Sequence, residues 1–263
     1  MVVGSIRKSA VAGTFYPANS TVLAEVVGGH LRENSGADDL PKAVIAPHAG
    51  YQYSGPIAGI AYTQCLGLAA KIRRVVLVGP AHRVAIRGLA APGSERFVTP
   101  LGDVPVDRES VDSLAGQNLL SINDRAHCKE HGLEVHLPFL QTILDDFSIV
   151  PLVVGDATAR EVKEVLDALW GGPESLIVIS SDLSHYYPYD QAQALDTRTA
   201  TAIEKIDPES IVAEQACGRI AIQGLLLCAR ERKLTAKTLD LRNSGDTAGS
   251  RDRVVGYGAF IVN

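Results

Sequence analysis

Three histidines in this 263-residue chain each stand just beyond a β-branched run. His48 follows Ala43–Ala46 in Ala-Pro-His-Ala-Gly-Tyr, and His82 follows Arg74–Val78 in Gly-Pro-Ala-His-Arg. His185 follows Leu176–Ser180 in Ser-Ser-Asp-Leu-Ser-His. Neutral imidazole is the commonest protein metal ligand and a ready proton carrier near neutral pH. In an open α/β sheet, ligands bind in the crevice outside the carboxyl ends of the strands. A single histidine after a strand more often caps a turn or bonds a carbonyl. Three at equivalent places point to one shared polar site, provided their strands are neighbours. Two histidines and one carboxylate with open positions suit non-haem Fe(II).

A second group is His127-Cys-Lys-Glu-His131-Gly-Leu-Glu134-Val-His136. Its first five residues match the H-x-x-E-H string of a class of zinc peptidases, which needs both histidines on one face of a continuous helix. Gly132 follows at once and apolar periodicity begins only at Leu133, so His127 is expected to precede the helix and the peptidase reading is disfavoured. His131 and Glu134 are expected at the border of the cleft, near a helix N-terminus whose dipole favours an anionic ligand. His30 is expected on the surface. The sequence has no G-x-S-x-G elbow, no phosphate loop of the G-x-x-x-x-G-K-[ST] type, and no G-x-G-x-x-G after a strand. Ser180 and Ser181 beside His185 lack any visible base or oxyanion hole, which leaves hydrolase chemistry a minor reading.

These residues need a scaffold, and the pattern of short apolar runs alternating with amphipathic segments predicts an α/β domain with a largely parallel or mixed sheet flanked by helices. Strands are expected at Ala43–Ala46, Arg74–Val78, Ile149–Val154, Leu176–Ser180, Thr235–Leu241 and Val254–Val262. Helices are expected at Leu23–Arg32, from Ser54-Gly55-Pro56 through Cys65, at Leu133–Asp145, after the capping box Thr158-Ala-Arg-Glu161, at Tyr189–Ile206 and at Gly218–Arg232. The Gly- and Pro-rich stretch Arg87–Val106 reads as an irregular excursion or hairpin. With no repeat or linker, residues 1–263 are expected to form a single domain.

Composition narrows the class further. Hydrophobic residues make up 46% and charged residues 21%, close to globular averages, so a core of useful size can form. The net charge of −5 and the lack of a basic stripe argue against nucleic acid as a partner. No apolar run approaches a membrane span or a signal-peptide core, which predicts a cytoplasmic protein without membrane association. Cys65, Cys128, Cys217 and Cys228 form no CxxC pair, and Cys217 and Cys228 are expected as buried free thiols in an apolar helix.

Longer strings carry a resemblance. Arg7 followed by Ala10-Val-Ala-Gly-Thr-Phe-Tyr-Pro17, then Ala46-Pro-His-Ala-Gly-Tyr-Gln-Tyr-Ser-Gly55, Gly79-Pro-Ala-His82, Glu130-His-Gly-Leu-Glu-Val-His-Leu-Pro-Phe139, Ser180-Ser-Asp-Leu-Ser-His185 and Gly256-Tyr-Gly-Ala259 occur in order. Together with Asn243-Ser-Gly-Asp-Thr247, they resemble the Memo family, including its AmmeMemoRadiSam system protein B-like members. The resemblance implies a fold like that of LigB-type class III extradiol dioxygenases, which hold non-haem iron on two histidines and a glutamate. By motif, His48 and His82 fall at the metal positions and His185 at the acid/base position. At the third metal position animal relatives have cysteine, whereas here Thr247 stands with Asp246 beside it.

The first expectation is therefore a metal-dependent oxidoreductase of unknown substrate. His48, His82 and Asp246 hold a divalent ion, Fe(II) favoured, His185 and Asp182 are catalytic, and Tyr51, His131 and Thr247 line the substrate pocket. The rival expectation is an inactive binding or adaptor module that uses the same cleft for a small molecule or peptide. The resemblance also implies radical-SAM and AMMECR-type protein partners.

Overall fold

The computed structural model describes residues 5–32 and 40–263. Residues 1–4 and 33–39 of the expected single domain lie outside the described residues. In chain order the strands are β1 (Ile6–Arg7), β2 (Ala43–Ala46), β3 (Arg74–Pro80), β4 (Leu89–Ala91), β5 (Arg96–Thr99), β6 (Gly102–Pro105), β7 (Ser121–Ile122), β8 (Ser148–Val154), β9 (Ser175–Ser180), β10 (His185–Tyr187), β11 (Ala236–Asn243) and β12 (Val254–Val262). The α-helices are α1 (Ser20–Arg32), α2 (Tyr51–Thr63), α3 (Arg108–Gly116), α4 (Asp124–Cys128), α5 (Leu137–Ile143), α6 (Ala159–Leu169), α7 (Tyr189–Glu204) and α8 (Arg219–Arg232).

The main sheet runs β10-β12-β2-β9-β3-β8-β4-β7, with β11 paired to β12. Its centre, β2-β9-β3-β8, is parallel, and β12, β11, β10 and the β4–β8 pair are antiparallel, so the sheet is mixed. Every residue of β2 and β9 is buried, as expected for runs such as Ala-Val-Ile-Ala whose two faces are both covered. Register decides where the chain emerges. Ala46 pairs with Ser180, and Val78 with Ile179, so β2, β9 and β3 end level with one another. The strands carrying the three singled-out histidines are thus adjacent, and their exits share one edge.

Helix α8 packs against β3 and β9 and carries α6 beside it, while α2 lies on β2, β11 and β12 with α1 and α5 beside it. The expected capping box forms in full: Thr158 Oγ1 accepts from Glu161 N–H, and Glu161 accepts from Thr158 N–H. Such an N-cap contributes about 1 kcal/mol. The 87–106 stretch contains a β5–β6 antiparallel hairpin, whose parallel partner is β1.

Three local expectations need correction. Helix α2 begins at Tyr51, so Pro56 lies in its second turn rather than its first. The segment expected as one helix from Leu133 opens as a 3-10 turn, Glu134–His136, before α5, with Pro138 in the first turn. His30 is not on an open surface: it packs where Gly55 and Gly59 let α1 approach α2, its ring edge-on to Tyr51 and stacked on Phe139. Gly256 in β12 is a point of close packing, because a Cβ there would overlap the Asp196 carboxylate of α7.

Candidate metal centre

The two parallel strands β2 and β3 deliver His48 and His82 to one crevice, where their ring centroids stand 5.0 Å apart. The third member is His131, from the turn before α5, with centroids 5.5 Å from His48 and 4.7 Å from His82. Each ring offers a nitrogen, and the three nitrogens lie within 4.8 Å of one another. The surrounding cleft, about 580 Å³, is also lined by Asp182, His185, Phe15, Tyr53, Arg253 and Tyr257, among others.

Hydrogen bonds fix the protons on two of the rings. Ser180 Oγ donates to Gly132 O at 2.5 Å, and a hydroxyl has one hydrogen. The contact of 2.6 Å between His48 Nδ1 and Ser180 Oγ is therefore donated by the ring, which leaves His48 Nε2 as a bare acceptor. His82 Nδ1–H donates to Glu130 Oε1 at 2.8 Å, again freeing Nε2. Glu130 also accepts from His82 N–H at 2.7 Å and Gly132 N–H at 2.9 Å. Such a carboxylate behind a histidine is the usual outer support of a metal-binding imidazole. His131 Nδ1 is buried and makes no hydrogen bond, with Glu130 Oε1 3.4 Å away.

Electrostatics agree. Burial, then the neighbouring His82 and His131, hold His48 well below the ordinary imidazole range, and burial followed by His82 lowers His131. Both rings are therefore neutral, the form that binds metal. For Glu130, burial works to raise the pKa, but the bonds from His82 and Gly132 outweigh it and hold the carboxyl at about 2. The donor set thus fits a divalent ion: two nitrogens freed by their tautomers, a third ring beside them, and a fixed carboxylate behind.

The turn carrying Glu130 and His131 is clamped from the other side. Arg7, 5% exposed, donates from Nε to His127 O and from Nη2 to Glu130 O, and pairs through Nη1 with Glu134. Glu134 also accepts from Ala10 N–H, Val11 N–H and the Tyr16 hydroxyl. Glu134 is therefore a fully buried anchor for the N-terminal segment and does not border the cleft. That anchoring places Phe15 over His131, with centroids 4.8 Å apart.

The other residues singled out from sequence divide. Asp182 is buried at the cleft and accepts from His48 N–H at 2.8 Å; burial raises its pKa. His185 lines the same cleft outside the three-histidine set, and its Nδ1–H donates to Leu183 O at 2.8 Å. Asp246 does not join the histidines. Its carboxylate accepts from the Tyr189 hydroxyl at 2.6 Å and from Asn243 N–H, on a separate cavity beside α7 and β11. Thr247 Oγ1 turns to Ser244 O, and it is Ser244 and Gly249 that line the cleft. Tyr51 is buried in the core with its hydroxyl donating to Val135 O, and Tyr53 takes the place on the cleft wall.

His127 bonds Ala90 O from the short helix α4, away from His131, so no peptidase-like helix pair exists here. Cys228 lies buried within α8 as expected. Cys217 instead precedes that helix, its Sγ 3.4 Å from His48 Nε2. Sequence reasoning missed it because no histidine or carboxylate stands beside it in the chain. Glu130 was missed too, although its place immediately before His131 was a usable signal.

Among the described residues, no helix is long and apolar enough to cross a membrane. The family description Memo-like protein matches residues 7–261. A MEMO1 family protein of Aeropyrum pernix is 38% identical, with 98% of this chain and 99% of that protein aligned. Its counterpart in Archaeoglobus fulgidus is 36% identical over 97% and 99%, and that of Sulfolobus acidocaldarius 33% identical over 96% and 97%. A match over nearly the whole length means that this chain belongs to the Memo family.

Proposed function

We propose that this protein is a metal-dependent oxidoreductase whose cleft holds Fe(II), or another divalent ion, on His48, His82 and His131. The observation that carries the reading is the convergence of three imidazoles with ligand-ready nitrogens in a cleft large enough for a small molecule. A bound ion would supply Lewis-acid or redox chemistry at its open positions. His185, with Nδ1–H held by Leu183 O, presents Nε2 as a base that takes a proton from a bound substrate. Asp182 holds the backbone of His48 in place. The aromatic wall of Phe15, Tyr53 and Tyr257 excludes water from one side of the substrate.

A second reading, metal-dependent hydrolysis, draws support from the all-histidine set, because three neutral ligands suit Zn(II) with an activated water. One series of measurements separates the readings. Protein purified without chelator is assayed for metal, as are His48→Ala and His82→Ala. Stoichiometric metal that both variants lose supports the centre; none, even after anaerobic Fe(II) loading, refutes it and leaves a binding module. Oxygen uptake with catechol-type substrates, lost in His185→Ala while metal is retained, supports the oxidoreductase over the hydrolase.

A further inference from the structure

We propose that Tyr186 and Arg253 form a recognition clamp on the outer wall of the cleft for a flat, carboxylate-bearing substrate. The inference rests on the reading above, in which this cleft binds the substrate, and names the class of that substrate. Strands β10 and β12 build the wall. His185 pairs with Val255 and Tyr187 with Val254, so β10 takes two steps against one and Tyr186 is the extra residue of a bulge. A bulge re-aims a side chain, and this one leaves Tyr186 lining the cleft. Its φ of 62° is left-handed backbone, which a bulky residue adopts only against steric resistance. The side chain is 68% exposed, with its ring edge-on to His185 at a centroid distance of 5.8 Å. Burial therefore does not explain a tyrosine here, and glycine would hold the same bulge without strain. A ligand stacked on the ring does explain it, beside the imidazole that takes the proton.

Arg253 immediately precedes Val254, so it stands at the Tyr186 end of the same strand pair and lines the same cleft. Among the described residues its guanidinium makes no hydrogen bond, ion pair or ring contact. Arg251, two residues earlier, is committed by contrast: it stands 3.7 Å from Asp246 and 4.5 Å over the Tyr189 ring. The carboxylate that lines the cleft, Asp182, is turned to His48 N–H. Arg253 thus faces the cleft without a counter-ion, and guanidinium matches a carboxylate through two parallel N–H bonds. The charge of the centre agrees, because three neutral imidazoles leave the charge of an ion uncompensated. Phe15 and Tyr257 on the same cleft favour a flat ring, which can stack, over a puckered one.

The test uses the full chain, as purified and again after chelator, with benzoate as the probe and affinity read by ligand-observed NMR titration. In both samples wild type is expected to bind benzoate more tightly than neutral benzamide or puckered cyclohexanecarboxylate. Arg253→Met, which keeps length and removes charge, is expected to weaken benzoate about tenfold and leave benzamide unchanged. Tyr186→Gly is expected to weaken benzoate about three- to tenfold while Tm holds or rises, because the strain leaves with the ring. Equal benzoate affinity in Arg253→Met, or no benzoate binding by wild type, overturns the clamp. A Tyr186→Gly protein that melts lower and binds benzoate as wild type does shows a structural ring and overturns its role. Benzoate binding that ignores Arg253 and vanishes with chelator assigns the carboxylate to the ion, which strikes the clamp while the metal centre stands. Arg253-dependent binding by a chain that holds no metal refutes the centre and leaves the clamp in place.

Discussion

Replacing Glu130 by glutamine tests the tautomer logic of the centre without changing its shape. The native carboxylate accepts three N–H groups: His82 N and Nδ1, and Gly132 N. An amide offers one oxygen, so in either orientation at least one donor meets another donor. If the NH2 faces the His82 backbone, one buried hydrogen bond is lost, at about 1–3 kcal/mol of stability. If it faces the ring, His82 must move its proton to Nε2 and become the acceptor at Nδ1, which removes the nitrogen that binds metal. Support of this kind is worth about 10–100-fold in metal affinity, or about 1.4–2.7 kcal/mol. Competition titration with a chromophoric chelator, alongside denaturant unfolding, measures both quantities. A variant that binds metal as tightly as wild type and unfolds at the same denaturant concentration would refute the claim that Glu130 holds all three N–H groups and so sets the His82 proton.

Two further outcomes follow from buried groups. Burial holds His127 at about 4 and His136 at about 3, against an ordinary 6.5 in the unfolded chain. The unfolded state therefore binds protons that the folded state refuses, so their stability is fully present above 6.5 and declines as pH falls toward 4 and 3. Going from pH 7.5 to 5.5 should cost about 1.3 kcal/mol per histidine, or about 2–3 kcal/mol together, and a flat unfolding free energy over that range would contradict this. Gly256→Ala forces a methyl against Asp196, whose Oδ1 holds Ser184 N–H next to His185. Overpacking there should cost about 1–3 kcal/mol, seen as a fall of several degrees in Tm, and an unchanged melt would show that α7 gives way freely.

The frame of the molecule was legible because its central strands are short continuous apolar runs bounded by turn residues. Ala43–Ala46 and Val254–Val262 have the bounds expected of them, and β3, β8 and β9 differ by a residue or two at their ends. The convergence of His48 and His82 was also legible, because equivalent positions after parallel strands share an edge. The third nitrogen was harder. His131 comes from an irregular turn held by Arg7 and Glu134, a contact across 127 residues that no local pattern encodes. Asp246 was expected because it stands beside Thr247, at the third-ligand position the resemblance implies, yet its carboxylate accepts from Tyr189 and Asn243. Cys217 owes its position to the start of α8 and the glycine after it, neither of which marks chemistry in the sequence.

One hydroxyl ties these distant pieces together. The Ser180 hydrogen points at Gly132 O, on the same turn as His131, and that direction keeps the His48 lone pair facing the cleft. Should the turn lift away, Ser180 is released to rotate and offer its hydrogen to Nδ1, and His48 then flips its proton to Nε2. The readiness of one ligand is thus interlocked with the docking of another, and Arg7 is the latch on that turn. Loosening the N-terminal segment would disarm His48 without touching it.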